Sequence, residues 1–565
     1  MSDNKSTCMN NYNNGQTIEN HIKGIKGEIG YSSDQRIAAW QRLQYGMFIH
    51  WGIYSQFGGV WNNEPVKEGY SEQIQMWANI PKEDYLQVAR YFTAEKFNPK
   101  EICSLAKEAG MKYIVITSKH HDGFAMFDTA TTDYNIVDST LYKKDPLKEL
   151  AEECRRQGLG FGVYFSLVDW SQGHTFDKRN CNPIPESMEP LIEQQLRELM
   201  TNYGSIVEVW FDMSSPTPEQ SCKFANIVRE LQPQAAINSR IFNNIGDFRT
   251  LGDNQVPDTT LDGPWQTPAS IYHSTWGYRS WQVRDDFEGK VRELVTGLAS
   301  ITARGGNYLL NIGPRGDGSV VEFEADVLRE IEAWLKRHPN AVIGASATHF
   351  GGQPWGEITL NNRDLFLHVI NWPETGELKL SGLMTRVVKV QEDGDSNELE
   401  WKQEGSDLII SLPEKPKDSI LPVIRVKLSG ELRIKPEKTL TPSEDGTWTI
   451  YPEHIYLGRS YADQGNYFNV RQTVIRQTAY ICCLKDNQVY LQLNGEANPD
   501  EKYRVQIGKD SYVVTGQQLT KEKIGPFTVP ANEITPFTIT LDEPAYATKD
   551  IELKFESAYI TSIDG

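Results

Sequence analysis

The sequence has no run of about 18 apolar residues, so no segment reads as a helix that spans a bilayer. It has no basic block either. Its 57 Lys and Arg against 76 Asp and Glu leave a net charge of −19, which disfavours nucleic acid and anionic membrane surfaces as partners. The seven cysteines are odd in number and scattered, with none in a CxxC pair, which argues against a zinc ribbon or a disulfide framework. The Asn-rich start, MSDNKSTCMNNYNNGQTIEN, lacks the apolar stretch of a secretory leader. The expectation is a cytoplasmic protein, secreted only if a leader has been removed. Aromatic residues, in contrast, are plentiful: 14 Trp and 25 Tyr supply flat apolar faces of the kind on which sugar rings stack.

A length of 565 residues holds three or four domains' worth of chain. Residues 1–34 read as a polar tail. From there to about 345, short apolar runs alternate with amphipathic helices, the pattern of a parallel α/β sheet or barrel. Strands are expected at 47–51, 113–118, 161–165, 207–211, 235–238 and 308–312, nearly continuously apolar as if buried on both faces. The helices between them carry stripes at 3.6-residue spacing, such as Leu147, Leu150, Ala151 and Cys154. After His338-Pro339 the alternation has period two and is broken by Gly, Asp and Pro, which predicts antiparallel β structure. A second all-β stretch starts past a poorly marked boundary in 430–460.

Ligands of a barrel bind at the carboxyl ends of its strands. The first run ends in His50-Trp51-Gly52, and the second in Lys119-His120-His121-Asp122. The third carries Tyr164, the fourth ends in Trp210-Phe211-Asp212, and the fifth in Asn238-Ser239-Arg240. Five consecutive strands thus deliver His, His-His, Tyr, Asp and Arg to one rim. In a regular pleat His120 and His121 point to opposite faces, which disfavours their holding one metal ion. GGNYLLNIGPRGDG lacks the signatures of a phosphate loop or a dinucleotide fold and reads as the turn region of the last barrel strand.

Taken in order, FIHWG (48–52), KHHDGF (119–124), the Tyr164 strand, VWFD (209–212), NSR (238–240), TWGY (275–278) and GGNYLLNIGP (305–314) resemble the α-L-fucosidases of glycoside hydrolase family 29. The resemblance covers about residues 36–345, with weaker similarity to a β-sandwich over 346–435. It implies a TIM-like (β/α) barrel at 35–345 followed by a β-sandwich at 346–440; the period-two pattern adds a second C-terminal antiparallel β-sandwich domain, 441–565, which matches nothing in the family and whose role is open. The resemblance also implies a retaining exo-α-L-fucosidase with no metal or organic cofactor, acting on fucosylated oligosaccharides or glycoconjugates. A second copy of the chain stays open as a partner.

On this resemblance Asp212 matches the nucleophile, and His50, His120 and His121 match residues that bind the fucose hydroxyls. Glu72 matches a further sugar contact, Tyr164 and Trp210 match wall and ligand positions, and Arg240 matches a cation near the nucleophile. Trp276 is expected on the apolar side of the sugar. Retention requires a second carboxyl group about 5 Å from the nucleophile. Many relatives place a glutamate directly after a tryptophan before the TWGY-like motif, but here the pair is Trp265-Gln266, and an amide cannot act as a general acid. The upstream loop offers Asp247, Asp253, Asp258 and Asp262. Asp253 fits the relatives' pattern best and Asp258 next, whereas Asp247 and Asp262 suit Asx turns. Two other readings are a glycosidase for a similarly configured sugar such as a β-D-galactoside, and a catalytically weak carbohydrate-binding protein.

Overall fold

The computed structural model describes residues 22–542 and 549–563. Residues 1–21, most of the expected tail, lie outside the described residues. Eight parallel strands form one sheet: β1 (Tyr45–Ile49), β2 (Tyr113–Lys119), β3 (Gly160–Ser166), β4 (Ile206–Asp212), β5 (Ala236–Ile237), β6 (Arg249–Thr250), β7 (Trp265–Ser270) and β8 (Asn307–Ile312). Their spatial order is β5-β4-β3-β2-β1-β8-β7-β6, and a bridge between Asn238 and Phe248 joins the two ends into a closed barrel. Asp247 holds that seam. Its N–H donates to Ile237 O at 2.7 Å, and its carboxylate accepts from Ile237 N and from both terminal nitrogens of Arg36 at 2.9 Å.

Among the described residues six helices of ten or more residues flank the barrel: α1 (Pro99–Glu108), α2 (Pro146–Gln157), α3 (Glu189–Asn202), α4 (Pro218–Leu231), α5 (Phe287–Ala303) and α6 (Glu322–Arg337). Three of them start at a cap-proline pair written in the sequence: Asn98-Pro99, Asp145-Pro146 and Thr217-Pro218. The cap oxygen satisfies an orphan N–H, and proline at the first helical position has none to satisfy. The expected stripes face inward; Leu147, Leu150, Ala151 and Cys154 of α2 are all buried. Among the described residues no helix joins β5 to β6 or β6 to β7. A 3-10 turn (Ser239–Ile241) and the irregular loop 251–264 take their places.

Strands β6 and β7 are absent from the sequence expectation. β7 reads Trp-Gln-Thr-Pro-Ala-Ser, with proline as a strand breaker. Proline is tolerated there because β6 pairs only with Trp265 and Gln266, leaving Pro268 without a ladder partner on that side. Gln266 finds its partners inside the barrel, while the Thr267 and Ser270 hydroxyls donate to the carbonyls of Gln255 and Thr275 in the adjoining loops.

Beyond α6 one hydrophobic cluster fills the space between a five-stranded sheet and a three-stranded sheet built from residues 346–428. A second cluster lies between a six-stranded and a four-stranded sheet built from residues 439–562. Pairing is antiparallel throughout these sheets except where Thr439–Leu440 runs parallel to Arg471–Cys482. The stretch 22–34, expected as tail, is structural. Ile25–Lys26 pairs with Arg433–Ile434, Ile29 N donates to Ala347 O, and Lys23 bridges to Glu533 of the last sandwich. Among the described residues no helix is long and apolar enough to cross a membrane.

Candidate active site

A cavity of about 270 Å³ opens at the carboxyl ends of the barrel strands. All ten residues singled out from the sequence line it: His50, Glu72, His120, His121, Tyr164, Trp210, Asp212, Arg240, Asp253 and Trp276. A larger cavity of about 860 Å³, where residues 25–33, the loop 260–264 and both sandwiches meet, contains none of them.

Asp212 is the last residue of β4, and its two oxygens are held separately. Arg240 Nη1 donates to Oδ1 at 2.8 Å, and the Tyr164 hydroxyl donates to Oδ2 at 2.8 Å. The chain then turns through two non-glycine residues with left-handed backbone, Met213 (φ 59°) and Ser214 (φ 73°). Such strain persists only where the surroundings enforce it. Here Ser214 N donates to Asn180 O at 2.7 Å, and its hydroxyl bonds Asn182 O.

Arg240 reaches the site because the helix-free β5–β6 crossover leaves it on a short 3-10 turn. The loop after β6 returns Asp253 to the same guanidinium, and Nη2 donates to Asp253 Oδ1 at 3.1 Å. One fork therefore carries two carboxylates. Burial opposes the Arg240 charge, but Asp212 and Asp253 more than offset it, so its pKa is raised further above the ordinary value. Asp253 is the more open of the two carboxylates, 26% exposed against 9% for Asp212. Its other oxygen accepts from the Tyr70 hydroxyl at 3.3 Å.

The three histidines are neutral. Burial pushes His50 down to about 4 and His121 down to about 3, and it lowers His120 well below its ordinary value. Neighbouring bonds fix two of the tautomers. Asn311 Nδ2 donates to Trp276 O at 2.7 Å, so its Oδ1 is free to accept a proton from His50 Nδ1, also at 2.7 Å. The Ser166 hydroxyl donates to Val168 O at 2.8 Å, so it accepts from His121 Nδ1 at 2.7 Å. Each imidazole thus presents its Nε2 lone pair as an acceptor for a ligand hydroxyl. The His121 Nε2 lies 3.9 Å from Asp212 Oδ2. Contrary to the pleat expectation, His120 and His121 line the same cavity, with ring centroids 4.2 Å apart. The reason is that β2 ends at Lys119, so alternation no longer applies to the next two residues.

Glu72, buried and raised to about 7 by that burial, accepts from the backbone N–H groups of Trp276 and Gly277 at 3.1 and 2.8 Å. With Asn311 on the carbonyl side, both faces of the Trp276 peptide unit are pinned. Trp210 stacks on Tyr164 at 5.6 Å, and its Nε1 donates to Gln266.

Gln266 itself is fully buried inside the barrel, bonded to Glu208, Tyr113 and Trp210, and it does not line the cavity. An amide at this position therefore replaces no acid in the pocket. Asp258 is exposed and does not line the cavity. Asp247 holds the barrel seam, and Asp262 pairs with Arg476 at 2.8 Å. Sequence reasoning missed Tyr70, Trp77, Met213 and the segment 178–180 in the lining, and also Tyr467 and Phe468 from the last sandwich. Asn311 lies within a quoted motif, but only its bonds to His50 and Trp276 reveal its role.

Two carboxylates on one guanidinium, beside neutral imidazole acceptors and aromatic walls at the mouth of a parallel barrel, define a glycoside hydrolase. The chain belongs to the α-L-fucosidase family, whose model, described as Alpha-L-fucosidase, matches residues 25–340. It is 28% identical over 404 residues to the tissue α-L-fucosidase of Rattus norvegicus, covering 66% of this chain and 85% of the relative. The α-L-fucosidase GH29 of Bacteroides thetaiotaomicron, solved as a trapped covalent intermediate in complex with 2-fluoro-fucosyl fluoride, is 26% identical. That likeness covers 72% of this chain and 99% of that one, with a TM-score of 0.64. The α-L-fucosidase of Vibrio sp. strain EJY3, at 24% identity, shares the fold over 95% of this chain and 99% of its own, again with a TM-score of 0.64.

Proposed function

We propose that the chain hydrolyses terminal α-L-fucosides with retention, with Asp212 as nucleophile and Asp253 as acid/base. The observation that carries this reading is the single guanidinium of Arg240 that binds both carboxylates. In the first step Asp253 gives its proton to the leaving oxygen while Asp212 bonds to the anomeric carbon and the glycosidic bond breaks. In the second, Asp253 takes a proton from water, which attacks the same carbon and releases Asp212. The charge balance supports the pairing. Arg240 neutralises Asp212 before the first step, and it neutralises Asp253 once Asp212 has become an ester. The trio stays neutral through the cycle, with no uncompensated charge in the pocket.

The Nε2 atoms of His50 and His121 accept from sugar hydroxyls, and Trp276 covers the apolar face. In this reading the barrel, 35–345, is the catalytic unit and 346–440 supports it.

The test is turnover of an aryl α-L-fucoside by the native chain and by Asp212→Ala, with an aryl β-D-galactoside alongside. Fucoside turnover that is lost in Asp212→Ala is the expected result. Preference for the galactoside would move the reading to that sugar, and turnover of neither would overturn it.

A further inference from the structure

The barrel does not line the catalytic pocket alone. Tyr467 and Phe468 belong to the last sandwich, in a one-turn 3-10 helix (Tyr467–Asn469) between the strands Tyr456–Ala462 and Arg471–Cys482. The Asn466 side chain opens that turn by accepting from Phe468 N at 3.1 Å. Asp463, just before it, is clasped to the barrel. Its buried carboxylate pairs with Arg249 at 3.4 Å and accepts from Asn244 N at 3.1 Å. Its N–H donates to Asn244 Oδ1 at 3.1 Å, and its carbonyl accepts from Asn244 Nδ2 at 3.0 Å. A reciprocal set of buried polar contacts of this kind fixes the loop against the barrel mouth in one register.

The consequence reaches the chemistry. Tyr467 lies over the Arg240 guanidinium at 4.9 Å, and Trp210 also lies against that guanidinium at 4.8 Å. The sandwich therefore touches the group that holds both carboxylates. Phe468 is next in line, at the mouth and 55% exposed, with the Arg179 guanidinium over one face of its ring at 5.6 Å. A sugar whose anomeric carbon meets Asp212 must send its leaving group past the more open carboxylate, Asp253, and out through this mouth. An exposed ring on that route is an apolar face with a second sugar as its natural cover.

We infer that Phe468 is the stacking platform of a leaving-group subsite, holding the pyranose ring to which the fucose is attached. This rests on the fucosidase reading above, and it makes the last sandwich a part of substrate recognition. Arg179 stands beside the platform as a donor for the hydroxyls of that second ring.

The experiment compares α-L-fucosyl fluoride, whose leaving group has no ring to stack, with oligosaccharides carrying fucose α1,2-linked to galactose or α1,3-, α1,4- and α1,6-linked to N-acetylglucosamine. Phe468→Ala is expected to lower kcat/KM for at least one oligosaccharide on the order of tenfold more than for the fluoride, mainly through KM, because uniform binding is what is lost. Phe468→Trp, which keeps a flat face, is expected to preserve the native oligosaccharide-to-fluoride ratio. Equal losses on all substrates in Phe468→Ala would overturn the subsite while leaving the fucosidase reading intact. A native chain that does not turn over the fluoride would overturn both.

Discussion

Asn311 decides which nitrogen of His50 faces the ligand. Its amide nitrogen is committed to Trp276 O, so its oxygen takes the His50 Nδ1 proton at 2.7 Å and leaves Nε2 as an acceptor in the cavity. Asn311→Ala frees the imidazole to change tautomer and releases the Trp276 carbonyl. The expected loss in kcat/KM on an aryl fucoside is about 10- to 100-fold, because a buried group left without its hydrogen-bond partner costs about 1–3 kcal/mol. Unchanged kcat/KM with unchanged thermal stability would show that the tautomer does not matter.

The histidines also bear on pH. His50 and His121 are held down to about 4 and about 3, so neither titrates between pH 5 and 8 in the folded protein. A plot of kcat/KM against pH is therefore expected to show no acid limb at about 6.5, the value of an ordinary histidine. A limb there that vanishes in His50→Gln or His121→Gln would contradict the neutral-acceptor assignment.

Removing the acid/base should separate good from poor leaving groups. Asp253→Ala is expected to cost about 10²- to 10⁴-fold on an oligosaccharide and much less on an aryl fucoside with a strongly acidic phenol. Azide should restore the second step and yield a fucosyl azide of retained configuration. The same variant made at Asp258 should leave all of these rates alone.

Burial raises Glu324 to about 8, where its carboxyl accepts from Gly313 N at 3.0 Å at the end of β8. A carboxyl raised on folding binds its proton more tightly in the folded state. Its contribution to stability is fully present below about 4.5 and is lost as pH rises towards 8. Glu324→Gln lacks that loss, so its advantage over the native chain should grow from pH 5 to pH 8 by on the order of a few kcal/mol. Urea midpoints at pH 5, 6.5 and 8 measure it, and a difference independent of pH would count against the burial argument.

The clasp between Asp463 and the barrel gives a further prediction. Asp463→Ala removes the carboxylate from a buried pair with Arg249, a change that typically costs about 3–5 kcal/mol. Proteolysis should then open the loop 464–470 before the rest of the chain. Oligosaccharide turnover should fall with it, and a loop that stays as protected as in the native chain would refute the clasp.

How much of this was legible in the sequence follows the physics of each element. Strands β1 to β4 and β8 are apolar on both faces and could be read directly. β7 could not, because it carries proline and polar residues, and the partners that let Gln266 be buried, such as Trp210 and Tyr113, lie far away in sequence. The site residues were legible where they end a strand, as Asp212 does. They were not legible where another element brings them in. Nothing near Tyr467 or Phe468 signals that a β-sandwich turn meets Arg240. Gln266 misled because the comparison it invited was by sequence position, whereas its side chain is turned into the barrel.

The bridge between Lys23 and Glu533 joins residues 510 positions apart, with Lys23 N donating to Asn532 O at 2.7 Å and Ile534 N donating to Lys23 O at 3.0 Å. A ribosome adding about 5–20 residues per second needs roughly half a minute to two minutes to cover that interval. The strands of the barrel and of the first sandwich can pair during that time, and Ile25–Lys26 can pair with Arg433–Ile434, but Lys23 has no backbone partner until the last sandwich has been made. The contact of Lys23 is therefore made late, and through it a segment already paired with the first sandwich fastens the last one in place.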